Sequence, residues 1–525
     1  MRRRDILKSA LAGSVALAAP RIGRAEGTRL LKFVPHADLA SLDPVWTTAD
    51  ITRNYSLAVF DTLYGIDAKF NVQPQMVAGH TTSSDGKLWE LTLRDGLTFH
   101  DGTPVLGRDC VATIKRFAVR EPLGSVMLGL IDEIGAPSDK VIRIRLKKPF
   151  ALLPSALSQY QSAIMPERLA KTDPMTQISE AVGSGPFRFK ADERIAGAKV
   201  VFERNPAYVP RPDGVPSFTA GPKIAYLDRV EWTVMPDAAT AQGALMNNEI
   251  DWWENPSIDL IPALRKDKRL RIEVKDITGE IGCLRFNHLL PPFDDAAVRR
   301  VVLAAMNQRD VMDTVAGAEP SLIKTDVGIF VPGTPYASTV GLEATHQYDD
   351  VDKLKRLLAA TSYKGEKIVV LAASTIPTIY AEAQVAADVL KRIGFSVDYQ
   401  ALDWATVVQR RASMEPVDKG GWNIFFTYLG GTGNVTPATD ISIRGTGKKA
   451  WFGWPTSEKM ETLRDAWFDA PDLPAQQKIT AQMQALFWEW VPYVPLGMYD
   501  QPTAYHGYLT DVRDGYPQFY GVRRV

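Results

Sequence analysis

Apolar and polar side chains alternate from Trp89 to Leu93, which is the pattern of a half-buried β-strand. The dipeptide Asp95-Gly96 follows, and it predicts a two-residue hairpin turn because glycine readily takes positive φ. Alternation resumes at Leu97 and Phe99 until a second turn signal, Asp101-Gly102. The segment therefore predicts a hairpin followed by a tight turn.

His100 lies inside this pattern, directly before Asp101. It falls on the face opposite Leu97 and Phe99, which predicts a side chain facing solvent. A short helix is expected next, from Asp109 to Phe117.

Helical spacing of apolar residues from Val298 to Met306 predicts an amphipathic helix, with Asp294 and Asp295 at its amino-terminal end. Residues 366–402 read as strand, helix, strand, and Gly394 ends the helix. Such a βαβ unit implies a parallel sheet covered by helices. Another strand is expected in the segment "WNIFFTYLG" that begins at Trp422.

Composition is that of a globular chain with no strong charge preference. The 525 residues include 61 Lys plus Arg and 61 Asp plus Glu, with 45% hydrophobic and 23% charged residues. Balanced charge argues against nucleic acid or an anionic membrane as a partner. The length suggests two to four domains.

The amino terminus has the pattern of a cleavable export signal. Arg2, Arg3 and Arg4 precede a weakly apolar run from Ser9 to Ala19, which is too short to span a bilayer. Arg3-Arg4 and the residues that follow resemble the twin-arginine pattern. We therefore expect residues 1–25 to be a twin-arginine-type signal peptide and the mature protein to be periplasmic; a basic amphipathic terminus on a cytosolic protein is the alternative.

Two cysteines are present, Cys110 and Cys283. In an oxidising compartment they could pair, but one falls in an expected helix and the other in an expected strand far along the chain, and we predict two buried free thiols.

Signatures of catalysis and of metal binding are missing from the sequence. The six histidines never occur at the i, i+4 spacing that presents two metal ligands on one helix. "GSGPF" at 183–187 is not a nucleophile elbow, and "GTGKKA" at 445–450 lacks the Walker spacing. We therefore expect no catalytic residue, no metal and no cofactor.

Aromatic residues in loops and at strand ends stand out instead, because they commonly line small-molecule pockets. Polar neighbours could orient a ligand, although each aromatic residue could equally be part of the core. The predicted ligand-binding residues are Trp46, Thr48, Trp404, Tyr428, Thr432, Asn434 and Trp451.

Several blocks in order resemble the family 5 extracytoplasmic solute-binding proteins of ABC importers, the peptide/nickel type. They run through almost the whole mature chain. The blocks are "DGKLWELTLRDGLTFHDGTPVLGRDCVATIKRF", "GSGPFRFK" with "FERNPAY", "NNEIDWW", "NHLLPPFDDAAVRRVVLAAMN", "AEAQVAADVLKRIGF" and "YVPLGMYDQPTAYH".

This resemblance implies an α/β, two-lobed periplasmic binding protein fold of class II, the large cluster C type, with an extra inserted domain and a hinge between the lobes. Lobe I would combine 26–75, 185–275 and 492–525. The inserted domain would span 76–184, and lobe II would span 276–491.

The resemblance also implies a function: capture of a small solute between the lobes and delivery to a membrane permease with its ATPase, by a monomer that is not an enzyme. An exported enzyme or periplasmic chaperone on the same scaffold is the alternative.

Two departures concern the ligand. Peptide-binding members hold the ligand's ammonium with an aspartate where this chain has Gly431, and they commonly hold its carboxylate with an arginine, whereas residues 368–390 contain no Arg or Lys. An unpaired buried charge is costly. We therefore expect a peptide-like, modified amino-acid or hydroxylated solute rather than a free zwitterionic dipeptide.

Overall fold

The computed structural model describes residues 29–345, 350–470 and 472–525. The expected signal segment, 1–25, lies outside these residues. Three main sheets organise the chain, and helices cover them.

The first is a mixed seven-stranded sheet assembled from distant parts of the sequence. In it the strand Leu30–Val34 is central and runs parallel to both of its neighbours. In spatial order the strands are Leu270–Val274, Pro502–His506, Trp252–Trp253, Leu30–Val34, Arg229–Thr233, Lys199–Arg204 and Phe187–Phe189.

The second sheet has six strands and contains the βαβ unit. Lys367–Ala373 pairs in parallel with Ser396–Leu402, and the helix Pro377–Ile393 crosses between them and ends at Gly394 with φ 111°. This confirms the predicted unit. In spatial order the strands are Ile323–Lys324, Tyr493–Tyr499, Glu280–Phe286, Ile424–Gly430, Lys367–Ala373 and Ser396–Leu402.

Smaller sheets complete the strand inventory. A four-stranded antiparallel sheet is formed by Val77–Thr82, Leu88–Leu93, Val141–Leu146 and Ile131–Ser138, in that spatial order. Two-stranded pairs join Tyr64–Ile66 to Val72–Pro74 and Leu509–Thr510 to Arg523–Arg524.

Helices surround the sheets, and most have a polar residue at the amino-terminal cap. Asp295, for example, accepts the backbone N–H of Ala297 at the start of Ala296–Ala305. The α-helices are Asp50–Val59, Gly107–Phe117, Pro122–Leu130, Leu153–Ala156, Glu167–Ala170, Ala238–Met246, Ile261–Leu264, Ala296–Ala305, Gln308–Ala316, Val351–Ala359, Pro377–Ile393, Trp404–Arg410, Glu458–Asp469 and Leu473–Trp490.

The chain passes between the two large sheets at two adjacent places. Residues 275–279 lead from the first sheet to the second, and residues 500–501 lead back. The strand Tyr493–Tyr499 therefore pairs in the six-stranded sheet, whereas the expected division assigns residues from 492 onward to lobe I. Apolar alternation identifies a strand but does not say which sheet accepts it.

The prediction of a hairpin at Asp95-Gly96 is wrong. The strand Leu88–Leu93 buries Trp89, Leu91 and Leu93 as expected, but its partners are Val77–Thr82 and Val141–Leu146. Gly96 has φ 78°, and the segment after it forms only an isolated bridge between Thr98 and Pro104.

His100 is half-buried against residues 183–185 rather than facing solvent. Its Nδ1 accepts the backbone N–H of Gly183 at 3.3 Å, so Nε2 carries the hydrogen and donates it to the carbonyl of Gly185 at 3.1 Å. Burial lowers the pKa of the His100 imidazole to about 4. The turn at Asp101-Gly102 is present, with an N–H of Gly102 bonded to the carbonyl of Phe99.

The "GSGPF" motif that receives His100 is a packing device. A side chain at Gly183 would meet the carbonyl oxygen of Val59 at 2.0 Å. Ser184 accepts the N–H of Asp61 and donates to the carbonyl of Ile164, so its hydroxyl is fully used in the fold.

Both cysteines are buried and free, as predicted. Burial raises the pKa of each thiol, which keeps them protonated and unreactive.

Two of the ion pairs join buried side chains that lie far apart in the sequence. Lys223 donates to Asp61 at 2.7 Å, and Arg116 contacts both carboxylate oxygens of Asp43, at 3.0 and 2.6 Å. All four side chains are at most 2% exposed. Buried charges are tolerated when an ion-pair partner and hydrogen bonds satisfy them, as the bidentate contact of Arg116 does for Asp43.

Candidate ligand-binding site

A cavity lies at the junction of the two large sheets, beside both crossing segments. Both lobes contribute: Glu280 and Tyr428 come from the six-stranded sheet, and Trp252 and Thr503 come from the seven-stranded one. The residues that line it are His36, Asp50, Arg53, Trp252, Glu254, Asn255, Lys275, Asp276, Glu280, Tyr428, Gln501, Thr503, Gly515, Tyr516 and Pro517.

Two of the four lining carboxylates are neutralised by cations that also line the cavity. Asp50 binds Arg53 at 2.9 Å within one helix. Glu254 binds His36 at 2.9 Å and accepts the Asn54 amide at 2.6 Å. Burial alone would lower the pKa of His36, but the Glu254 carboxylate raises it overall.

The remaining lining cation, Lys275, is already paired. Its ammonium lies 2.8 Å from Glu273 and 3.5 Å from Asp514, neither of which lines the cavity. Arg53 also stacks on the ring of Tyr516, with 3.6 Å between guanidinium carbon and ring centroid. The cavity therefore offers no cation that is free to receive a ligand carboxylate.

Asp276 and Glu280 have no ion-pair partner within the part of the chain that the structure describes. Asp276 accepts only from Thr278, through its backbone N–H and its hydroxyl. The Oε2 atom of Glu280 is buried and has no hydrogen-bond partner. Burial, reinforced by the charges of Asp50 and Asp276, raises the pKa of Glu280 well above its ordinary value.

Carboxylates from the two lobes approach each other at Gly430. A Cβ at this position would lie 3.7 Å from Oδ2 of Asp50 and 3.9 Å from Oε2 of Glu280. Position 431 is different, because a Cβ there would lie 2.0 Å from the carbonyl oxygen of Thr278. Only glycine fits at 431, so no side chain can reach the cavity from that position.

Tyr428 and Thr432 are the two predicted site residues that the structure connects with this cavity. Tyr428 lines it directly, and burial raises the pKa of its hydroxyl well above the ordinary value. Thr432 accepts a hydrogen bond from the hydroxyl of Tyr516, which lines the cavity from the other lobe. This bond joins the two sides of the junction.

Trp404 and Trp451 are brought together elsewhere, around Arg411. The guanidinium carbon of Arg411 lies 5.4 Å from the ring of Trp404, 5.7 Å from Trp451 and 4.7 Å from Phe452. Arg411 is 4% exposed, and burial lowers its pKa to about 10. None of these residues lines the cavity at the junction.

The other three predicted site residues also lie outside the cavity lining. The backbone carbonyl of Trp46 accepts a hydrogen bond from the Arg120 guanidinium at 2.9 Å. Thr48 is exposed, and Asn434 is buried, with its carbonyl accepting the N–H of Val331.

The lining acids are the residues that sequence reasoning missed. Glu280 is the first residue of a strand and Asp276 lies in a loop, and carboxylates are common at both kinds of position. A usable signal was present, because Glu280 opens a strand whose next six residues are all buried. An ionisable residue at such a position demands a partner.

Metal binding has no support in the geometry. Within residues 29–345, 350–470 and 472–525, no group of three or more His, Cys, Asp or Glu side chains is placed to hold a metal ion. Over the same residues, no helix combines the length and apolar content needed to cross a bilayer.

Comparison with known proteins places this geometry in a family. Residues 71–450 match the model of the bacterial extracellular solute-binding proteins, family 5, middle region. A probable peptide ABC transporter periplasmic-binding protein of Sinorhizobium fredii is 37% identical over 516 residues, covering 97% of this chain and 96% of the relative.

The chain belongs to family 5 of the bacterial extracellular solute-binding proteins.

Solved structures of the same type agree with the fold. The periplasmic binding protein AgaA of A. tumefaciens R10, in complex with agropinic acid, superposes with TM-score 0.78 at 20% identity and covers 94% of this chain and 99% of its own. The Escherichia coli murein tripeptide binding protein MppA gives TM-score 0.79 at 18% identity and covers 95% and 99%. The predicted two-lobed fold is confirmed.

Family 5 membership makes this chain a solute-binding protein of the kind that serves ABC importers, and not an enzyme. Such proteins work outside the cytoplasmic membrane. The junction between the lobes is therefore the place to look for the solute.

Proposed function

We propose that this protein captures a peptide-like, modified amino-acid or hydroxylated solute at the junction of its lobes and delivers it, as a monomer, to a membrane permease and its ATPase. Solutes that bind the closed form better than the open form drive closure, and closure presents the loaded protein to the permease. The Sinorhizobium fredii relative, named for peptide transport, supports the peptide-like class.

The observation that carries this proposal is the charge pattern of the cavity. Its cations, His36, Arg53 and Lys275, are paired, while Asp276 and Glu280 are in no ion pair among the described residues. A free ligand carboxylate would enter next to Asp276 and Glu280, which no cation balances, and it would find no free cation among the lining residues. An unpaired ion costs several kcal/mol in a desolvated site. A free zwitterionic dipeptide is therefore disfavoured, whereas a solute with a blocked or absent carboxylate is not.

Tyr428 and Thr432 are the predicted site residues with the strongest support. The proposed site also keeps the Arg411 cluster as a second wall, formed by Trp404 and Trp451, for solutes that extend beyond the junction. Trp46, Thr48 and Asn434 remain proposed contacts that no observed contact supports.

The division into lobes is likewise a proposal, supported by the sheet composition. Lobe I combines 26–75, 185–275 and the segment from 500 onward; the inserted domain is 76–184; lobe II runs from 276 to 499. Gly279, with φ 61°, lies in one crossing segment, where a Cβ would meet the Met498 side chain at 2.4 Å.

Calorimetry with matched probes tests the proposal. We expect the C-terminal amide of Ala-Ala to bind more tightly than free Ala-Ala, because only the free peptide brings a carboxylate. Submicromolar binding of free Ala-Ala would contradict it. Native mass spectrometry of freshly purified protein adds a second readout, since a co-purified solute should lack an unblocked carboxylate.

We also propose export by the twin-arginine route, on the strength of Arg3-Arg4 in the amino-terminal segment. Replacing both with Lys should leave the precursor in the cytoplasm, whereas unchanged export would point to another route.

A further inference from the structure

We infer that Glu280 holds an organic cation, an ammonium or guanidinium group, carried by the solute. The inference rests on the proposed function and deepens it by naming the ligand chemistry that the junction recognises.

The first support is the unbalanced charge of the junction. Each lining cation has a carboxylate partner: Arg53 has Asp50, His36 has Glu254, and Lys275 has Glu273. Asp276 and Glu280 are left over, since neither is in an ion pair among the described residues. One positive group on the solute would balance Glu280.

The second support is the position of the Glu280 carboxylate. Oε2 is buried without a hydrogen-bond partner, although it lies in a wall of a cavity that contains other polar groups. Removing such a group from water without a partner costs free energy. A donor supplied by the solute would satisfy the atom, and a charged donor would satisfy it best.

The third support is that the cation would be shared between lobes. Oε2 of Glu280 and Oδ2 of Asp50 each lie within 4 Å of the Cβ position of Gly430. They come from different lobes, so they meet only when the lobes are together. A cation between them binds the closed form selectively, which is the condition for ligand-driven closure.

An organic cation fits this site better than a metal ion. The described residues hold no group of three metal-ligating side chains. Aromatic rings of Trp252, Tyr428 and Tyr516 line the same cavity. Ring faces attract ammonium and guanidinium groups at short range.

Charged groups from several elements bear on Glu280, and the hydroxyls of Tyr428 and Tyr499 also face it. Asp50, Asp276 and Glu382 oppose its ionisation, and Arg53 favours it. Arg53 is already committed to Asp50, so it does not neutralise Glu280. A cation from the solute would supply the favourable charge that the protein withholds.

The test is capture from a casein digest whose carboxyl groups have been converted to methyl esters. One portion is also acetylated, which removes amines but leaves guanidinium groups. Purified full-length protein is incubated with each portion, desalted, and analysed for retained compounds by native mass spectrometry. The affinity of the most abundant retained compound is then measured by calorimetry.

We expect wild-type protein to retain amine-bearing compounds from the esterified portion, and only arginine-containing ones from the acetylated portion. Glu280→Gln preserves shape and removes charge, and it should weaken binding at least about tenfold, the loss expected for one charge-assisted hydrogen bond. Glu121→Gln is the matched control, because Glu121 is a buried carboxyl that neither lines the cavity nor is among the groups that oppose ionisation of Glu280. It should bind within about twofold of wild type.

Gly430→Ala is a second variant that does not depend on Glu280 chemistry. Its methyl group would make ordinary contacts with the two carboxylates, so folding should be intact, but it narrows the space between them. Binding should weaken in this variant as well.

Equal retention of acetylated compounds without a guanidinium would overturn the inference while leaving the proposed function standing. Unchanged affinity in Glu280→Gln would do the same. Retention of nothing from either portion would overturn both, because the peptide-like class would then be wrong.

Discussion

Asp61 and Glu280 are two carboxylates turned away from bulk solvent, and they differ in what surrounds them. Asp61 accepts from Lys223 at 2.7 Å, from the Tyr208 hydroxyl at 2.8 Å and from the backbone of Thr62 at 2.9 Å. Glu280 has a buried oxygen with no partner. The fold itself supplies the hydrogen-bond donors of Asp61. The donor for Glu280 has to come from a molecule outside the chain.

This difference in hydrogen-bond partners distinguishes a buried charge that stabilises the fold from a buried charge that is available to a ligand. A satisfied buried pair contributes to a unique packing, and removing one member leaves the other stranded. An unsatisfied carboxylate in a cleft destabilises the empty protein and gains its partner only with the solute. Perturbed groups in clefts mark functional sites for this reason.

Breaking the satisfied pair should give the largest effect on stability. Lys223→Met leaves Asp61 buried and unpaired, and we expect a loss of about 3–5 kcal/mol in the free energy of unfolding. Urea denaturation measures it. The exposed pair Lys140–Asp95 supplies a control, because Lys140→Met should leave the transition unchanged. If the free energy of unfolding of Lys223→Met fell by less than about 1 kcal/mol, the Lys223–Asp61 pair would contribute no more than an exposed ion pair does.

A buried carboxyl without a cation should make stability depend on pH. Burial raises the pKa of Glu382 well above its ordinary value. The folded state then holds a proton that the unfolded state has released, so stability falls as pH rises above about 4.5. Glu382→Gln should flatten this decline between pH 5 and 8, as measured by denaturation at each pH. An unchanged slope would contradict the burial argument.

The smallest expected effect concerns His100, whose two ring nitrogens are satisfied by backbone groups. Its pKa is lowered to about 4, so the unfolded state binds a proton that the folded state does not, and stability is lost as pH falls from about 6.5 towards 4. His100→Gln should remove that part of the acid sensitivity, cost about 1 kcal/mol or less at pH 7, and leave solute affinity unchanged. Loss of affinity would show that this turn communicates with the junction.

In this chain, local sequence patterns predicted helices and strands well, but they did not predict which distant residues or strands these would contact. The βαβ unit at 367–402 and the buried thiols were readable because periodicity and residue type act over a few positions. His100 was misplaced because its partners, Gly183 and Gly185, are more than 80 residues away. The pairing of Tyr493–Tyr499 with Glu280–Phe286 could not be predicted for the same reason, since the partner strand lies about 200 residues away.

The site followed the same rule. Tyr428 was predicted as a site residue because an aromatic residue at a strand end is a local signal, and it lines the cavity. Trp404 and Trp451 carry that same signal, yet they pack on Arg411 rather than at the junction. Glu280 and Asp50 are 230 positions apart in sequence, and only the crossing segments bring them to one place. A carboxylate's function here depends on which neighbours are absent, and no single-sequence pattern records that.

Proton release on solute binding tests the central claim most directly. Calorimetric titrations of Ala-Ala amide at pH 6, in two buffers with different heats of ionisation, report the protons exchanged. Burial raises the pKa of Glu280 in the empty protein, and a bound ammonium would lower it, so wild type should release protons on binding. Release should vanish in Glu280→Gln. Equal release in both proteins, or none in wild type, would contradict the assignment of Glu280 as the residue that holds the cation.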